Sequence, residues 1–381
     1  MTTTAVRAPA FLDVDALIAD QRVRIAVICG AGGVGKTTSA AALALRAAEA
    51  GRKVVVLTID PARRLAQSLG VEELDNTPRP VRGIDATNGG SLDAMMLDMK
   101  RTFDEVVLAH TTPDSAASIL ENPFYVALSS QFAGTQEYMA MEKLGQLHAE
   151  AVETGTWDLI VVDTPPARSA LDFLDAPEHL SSLLDGRFLK VLLAGARGPF
   201  RLVSVGFNLV ANALNKILGG TLLTDLQGFI AAFEAIFGGF RERANQTFQL
   251  LASPQTTFVV VATPQRDALR EAAYFVDRLS EESMPLAGVV VNRVNRSSLD
   301  VSAERALALA EDLDPATSPV EIAALRQHAD LVRVIENEQL LLDRFSARRT
   351  TVPRTSVTAL PSDVTDVSSL RRVGALLADH D

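Results

Sequence analysis

Residues Cys29–Thr38 read CGAGGVGKTT, a match to G-x-x-x-x-G-K-[ST] that starts at Gly30. An apolar run precedes the match and an Ala-rich helical stretch follows it, which is the setting this motif needs in order to bind phosphate. Gly32, Gly33 and Gly35, with Val34 among them, supply tight backbone turns whose N–H groups approach phosphate oxygens. The helix that opens at Thr37 and Thr38 adds its positive dipole end. Lys36 is placed to reach the β- and γ-phosphates, and the Thr37 hydroxyl to coordinate Mg²⁺. The cofactors expected are therefore ATP and Mg²⁺, and the reaction is hydrolysis of ATP to ADP and phosphate.

Two carboxylates complete the chemistry. LIVVDTPP, Leu159–Pro166, is an apolar strand that delivers Asp163 to its C-terminal end, where it can hold an Mg²⁺-bound water. The plainer role for Asp163 is to cap a turn. In VVVLTIDPARRLAQSLG, Val54–Gly70, a strand ends at Asp60 and Pro61 suits the first position of a helix. Asp60 serves either as a helix cap or as the carboxylate that orients the attacking water at the γ-phosphate. The catalytic candidates are Asp60 and Lys36, and the metal candidates Thr37 and Asp163.

The elements that must position these groups alternate between short apolar runs and helical stretches, the pattern of a mostly parallel sheet covered by helices. Strands are expected at Arg24–Cys29, Lys53–Ile59, Leu92–Asp98, Asp158–Val162, Thr257–Ala262 and Leu286–Val291, with another near Ser356–Leu360. The first helix is expected over Thr37–Ala50, stopped by Gly51. The fold class is α/β, a P-loop NTPase with a doubly wound, mostly parallel sheet. Residues 1–381 are expected to form a single ATPase domain, with helical subdomain insertions at 101–153 and 177–254. Asp312–Ser318 and Arg348–Pro353 are expected to be loops.

Bulk composition narrows the function classes. Lys and Arg number 36 against 47 Asp and Glu, a formal charge of −11, which disfavours non-specific nucleic-acid binding. With Cys29 as the single cysteine, an intrachain disulfide or a Cys-based metal cluster is excluded, and a reducing, cytoplasmic setting is expected. The N-terminus lacks a signal-peptide pattern, and Leu202–Asn215 falls short of the ~20 residues that span a bilayer. No stable membrane insertion is expected. Met95, Met96, Met99, Met139 and Met141 read as core or as an adaptable groove. Phe229, Phe233, Phe237 and Phe240 share one helix face, which packs within the subdomain or offers a surface to an apolar client segment.

Together these pieces resemble the family of the arsenite-pump (anion-transporting) ATPases and the eukaryotic ATPases that target tail-anchored membrane proteins. That family's cradle, GKGGVGKTT, is close to Gly30–Thr38. Its switches are similar to Asp60-Pro61-Ala62 and to Asp163-Thr164-Pro165-Pro166 with Phe173-Leu174 downstream. The likeness continues in VVVNRV and TPQRDALREA, and more loosely in LPSD at Leu360–Asp363. It implies that Asn292 contacts adenine, that Pro361 lies near the adenine pocket, and that a dimer closes over two nucleotides.

The departures from the family are specific. Its signature lysine, which reaches across the dimer, is replaced by Ala31, and Ala offers no cation to a transferring phosphoryl group. Arg63-Arg64 and Arg168-Ser169 stand where His-Asn and Gly-His are common. The zinc-clasp and arsenite-sensing cysteines are absent. The reading is an ATP-hydrolysing dimeric switch, coupled through its helical subdomain to a client or partner. That partner is either a related ATPase subunit that keeps the lysine, giving a heterodimer, or a second copy of this chain. The alternatives are a low-turnover ATP-binding regulatory subunit and a partition- or division-site-positioning ATPase.

Overall fold

The computed structural model describes residues 11–60, 64–122, 125–126, 129, 135–165, 239 and 242–379. The chain divides into two compact units. One comprises Met1–Met95, Thr154–Ala167 and Leu251–Asp381; the other comprises Met96–Glu153 and Arg168–Leu250.

The first unit is built on an eight-stranded sheet in the order β3-β4-β2-β5-β1-β6-β7-β8. Its strands are β1 (Ile25–Gly30), β2 (Lys53–Thr58), β3 (Arg79–Pro80), β4 (Ser91–Met96), β5 (Leu159–Asp163), β6 (Thr256–Ala262), β7 (Leu286–Val294) and β8 (Arg354–Thr358). Every residue of β1, β5 and β6 is buried, as unbroken Val/Ile/Leu runs require when both faces of a strand are covered. β1 pairs in parallel with β5 and β6, β5 with β2, β6 with β7, and β7 with β8, whereas the two-residue β3 pairs antiparallel with β4. From β1 the chain runs first to one side of the sheet and later to the other. The end of β1 is therefore a topological switch point, where open α/β sheets hold ligands.

Helix α2 (Lys36–Glu49) follows β1 directly. Ala40, Ala41, Ala42, Ala44, Ala47 and Ala48 are all fully buried, so small side chains let this helix be covered on every side. The C-terminal helix, α10 (Val367–Leu377), lies against it. A Cβ at Gly374 would come 3.3 Å from the Ala42 carbonyl, so glycine there permits the close approach. Asp366 and Ser369 form a capping box at the start of this helix, and Arg371 pairs with Glu49 at 2.6 Å.

At the N-terminal ends of the central strands, the guanidinium of Arg52 is buried. It donates to the carbonyls of Ile18 (2.9 Å), Val23 (2.9 Å) and Asp158 (2.8 Å) and pairs with the Asp158 carboxylate. One side chain thus ties the end of α1 (Val14–Ala19), the entry to β1 and the entry to β5. Between β7 and β8, helices α8 (Ala303–Glu311) and α9 (Pro319–Ala347) form a hairpin around a small cluster of Ala303, Ala306 and Ala329. The remaining helices of this unit are α3 (Arg64–Leu69) and α7 (Arg266–Glu281).

The second unit is helical in its described part: α4 (Met99–His110), α5 (Pro113–Leu120) and most of α6 (Thr135–Thr154). Asp98 caps α4 through the Arg101 N–H at 2.9 Å. The Tyr125 hydroxyl donates to Asp104 at 2.7 Å, and its ring meets Phe103 edge-on at 6.0 Å. Glu142, almost buried, accepts from Arg243 at 2.9 Å. Met139 and Met141 are fully buried, as is Met95 in the first unit, so these three methionines are core. Pro61, Ala62, Arg63, Pro166, Arg168, Ser169, Phe173, Leu174 and most of the 177–254 insertion, including Phe229, Phe233, Phe237 and Phe240, lie outside the described residues. Among the described residues, no helix is long and apolar enough to cross a membrane.

Candidate functional site

The cradle begins where β1 ends. Gly30 has φ 146°, and a Cβ there would lie 2.1 Å from the Val261 carbonyl oxygen on β6, so only glycine fits. Gly33 and Gly35 take φ values of 77° and 97°, left-handed geometry that glycine adopts without steric cost. Gly35 is the N-cap of α2 and supplies no side-chain cap. The first N–H groups of the helix therefore point out of its N-terminus without a side-chain acceptor at that position, which is the arrangement that receives an anion. Gly32 and Gly33 are exposed, Val34 and Lys36 are buried, and Thr37 and Thr38 are half-buried on the first turn.

Lys36 is 7% exposed, and its ammonium donates to the Ala31 carbonyl at 2.8 Å. Burial pulls its pKa down, while the negative charges of Asp163 and Asp60 act in the opposite sense. The positive charge of Arg64, at the start of α3, adds to the downward pull. An anionic phosphate at the cradle would counter both the desolvation and the like charge.

Asp163 is the last residue of β5 and is fully buried. Its carboxylate receives hydrogen bonds from the hydroxyls of Thr37 and of Thr58, the latter at 2.9 Å to Oδ2. Oδ1 is buried without a hydrogen-bond partner among the described residues. Burial pushes the carboxyl up to about 6, against the two hydroxyls and Lys36, which favour its charged form. A buried carboxylate with one unused oxygen beside a threonine hydroxyl fits a hydrated divalent cation, which would restore its charged state.

Asp60 is half-buried, two residues past the end of β2. Ile59 before it is anchored by its N–H to the Asp163 carbonyl at 3.0 Å, so the two switch-like segments leave the sheet side by side. The charge of Asp60 bears on both Lys36 and Asp163. Helix α3 begins four residues later, at Arg64.

Asn292 meets the cradle from the other side. Its Nδ2 donates to the Val34 carbonyl at 2.9 Å, and a Cβ at Gly35 would fall 2.2 Å from the same nitrogen. Pro361 is exposed in the turn after β8, and the Ala359 N–H donates to Val294 at 2.9 Å, which places this turn beside the end of β7. Thr58 was not singled out from the sequence. Its signal is a hydroxyl at the end of the otherwise apolar run VVVL.

A parallel α/β sheet with a glycine-rich cradle, a cradle lysine and a buried strand-end aspartate defines a P-loop nucleoside-triphosphate hydrolase. Residues 23–305 match the family model described as anion-transporting ATPase, and the chain belongs to that family. It is an ATPase. Curated relatives agree. ATPase GET3 of Lachancea thermotolerans is 27% identical over 272 residues, which span 70% of this chain and 70% of that protein. ATPase ARSA2 of Chlamydomonas reinhardtii is 28% identical over 276 residues, 70% of this chain and 66% of that protein. ATPase ASNA1 homolog 1 of Paramecium tetraurelia is 23% identical over 300 residues, 73% of this chain and 77% of that one.

Proposed function

We propose that the chain is a nucleotide-dependent switch in the cytoplasm that binds ATP with Mg²⁺ in the cradle and couples hydrolysis to a client or partner. The observation that supports it most is the unpartnered Oδ1 of Asp163 next to the Thr37 hydroxyl, at the mouth of a cradle whose helix end is uncapped. In this reading the backbone N–H groups of Gly32, Gly33, Val34 and Gly35 hold the phosphates, helped by Lys36 and Thr38. Thr37 and Asp163 hold Mg²⁺, which supplies charge neutralisation across the β- and γ-phosphates. Asn292 and Pro361 border the adenine. Asp60 orients the attacking water, since hydrolysis of a phosphoanhydride depends on positioning and charge stabilisation.

The reading extends to assembly. Residues 1–381 act as one ATPase domain whose insertions at 101–153 and 177–254 form the helical subdomain that meets the client. Two chains close over the nucleotides. Because Ala31 brings no cation to the dimer interface, the second chain is a related subunit that keeps a lysine at this position, and it supplies the missing charge to the nucleotide held here. Co-purification from the native source then brings down a second ATPase; a strictly homodimeric, fully active chain contradicts this part.

Single-turnover hydrolysis of Asp60→Asn at saturating ATP tests the switch chemistry. Asn keeps the size of Asp and its capping ability but loses the carboxylate charge. ATP remains bound and the chemical step slows, by about 100-fold or more for loss of a positioning group. Hydrolysis at the normal rate would reduce Asp60 to a helix cap.

A further inference from the structure

Strand β7 ends irregularly. Its pairing with β8 shifts between Asn292 and Val294, and Arg293, the extra residue, takes φ 60°, a left-handed conformation that side chains with a Cβ rarely adopt. A bulge of this kind re-aims the neighbouring side chain. Here the neighbour is Asn292, whose Oδ1 accepts from the Arg293 N–H at 2.9 Å while its Nδ2 supports the Val34 carbonyl of the cradle.

Three residues further on, Asn295 is gripped by Glu338 of helix α9. The Asn295 N–H donates to Oε2 at 2.9 Å and its side-chain Nδ2 to Oε1 at 2.6 Å. Glu338 is 9% exposed and has no ion-pair partner among the described residues. A carboxylate nearly removed from water and held only by amide donors is a poor choice for stability, because an apolar residue avoids the desolvation cost. What Glu338 adds is geometry, since both its oxygens fix one loop residue.

We propose that Glu338 is a positioning residue for nucleotide binding. It clamps the loop after β7 through Asn295, and so holds the Asn292 amide against the cradle at Val34 and Gly35. The inference rests on the cradle being the ATP site, and it makes the α8–α9 hairpin the element that sets the affinity of that site. Carboxylate and cradle are linked through four hydrogen bonds and the short backbone stretch from Asn292 to Asn295.

The test is Mg²⁺-ATP binding by calorimetry on the full chain, with turnover measured alongside. Glu338→Ala raises Kd about tenfold, the equivalent of one lost charge-assisted contact, with kcat within about twofold of wild type. Glu338→Gln, which keeps one acceptor, raises Kd by an intermediate factor. Because the effect runs through Asn292, the Glu338→Ala/Asn292→Ala double variant binds no more weakly than Asn292→Ala alone. Fluorescence of Trp157, the single tryptophan, verifies that each variant is folded. If Glu338→Ala fails to fold, Glu338→Gln with its own double variant decides in its place. Wild-type Kd in the Glu338 variants, or effects that add to those of Asn292→Ala, would overturn the proposal. Lys36→Ala run in parallel separates the two levels. Unchanged ATP binding in that variant removes the cradle reading itself, whereas its loss beside normal Glu338 variants removes only this inference.

Discussion

The Lys36 ammonium lies 2.8 Å from the carbonyl oxygen of Ala31, five residues back along the same cradle. The contact uses the backbone of residue 31 and leaves its side chain out of the bond. The bond itself does not depend on which side chain residue 31 carries, although Ala31 is 6% exposed.

This sets an expectation for Ala31→Lys. The substituted chain keeps the Lys36–carbonyl contact and gains a cation at the rim of the cradle. If two copies then face each other, each supplies the other's phosphoryl group with charge. Trans-acting cations change phosphoryl-transfer rates by about 10³ or more in favourable cases. Steady-state ATPase of the isolated variant should rise at least about tenfold, a modest fraction of that range. An unchanged rate means that the missing cation does not limit turnover.

Gly35→Ala should damage the site twice. The backbone sits at φ 97°, and the new Cβ would fall 2.2 Å from Asn292 Nδ2, so the strand-end amide must leave its cradle contact. The expected result is a stability loss of roughly 1–3 kcal/mol from the backbone alone, together with loss of ATP binding. Gly70→Ala is the control. It is also left-handed, at φ 65°, but nothing lies within 4 Å of its Cβ. It should cost about 1 kcal/mol and leave binding intact. Thermal unfolding and calorimetry on the pair distinguish strain from the clash.

Much of this corner was legible in the sequence because its signals are local. The apolar run before Gly30 becomes β1, and the Ala-rich stretch after Gly35 becomes α2, shifted from Thr37–Ala50 to Lys36–Glu49. Leu159–Asp163 lies one residue beyond the expected Asp158–Val162, because Asp163 itself pairs with Thr58 and Ile28. Other features were hidden. β7 runs three residues past Val291, since a polar stretch gains strand pairing through a bulge that no apolar pattern announces. β3 contains Pro80 and is only two residues long, too short to show alternation. The Arg52 tie and the Glu338–Asn295 clamp join residues 106 and 43 positions apart, and spacing of that range says nothing about which carboxylate meets which donor.

Cys29 gives a pH prediction with a definite sign. It lies in β1, fully buried, and burial pushes its thiol up to about 12 from an ordinary 9.0. A raised folded-state pKa keeps the thiol protonated through pH 9 and toward 12, while the unfolded thiol ionises near 9. The thiolate is the reactive form. Alkylation by iodoacetamide should therefore be far slower in the folded chain than in denaturant throughout pH 7 to 10, with the rate in denaturant levelling off above pH 9 while the folded rate is still rising. Cys29 contributes to folded stability below pH 9, and that contribution is lost as pH climbs toward 12. Alkylation of the folded chain at the denatured rate near pH 8 would show that the strand is open at the cradle.

The central claim, that Gly30–Thr38 is the ATP site, is tested most directly by the affinity of the purified chain for Mg²⁺-ATP before and after Lys36→Ala. Wild type should bind one ATP per chain. Removing the ammonium deletes a charge-assisted contact worth roughly 1.5–3 kcal/mol, so Kd should rise by about 10- to 100-fold and hydrolysis should cease. An unchanged Kd with unchanged turnover would contradict the account.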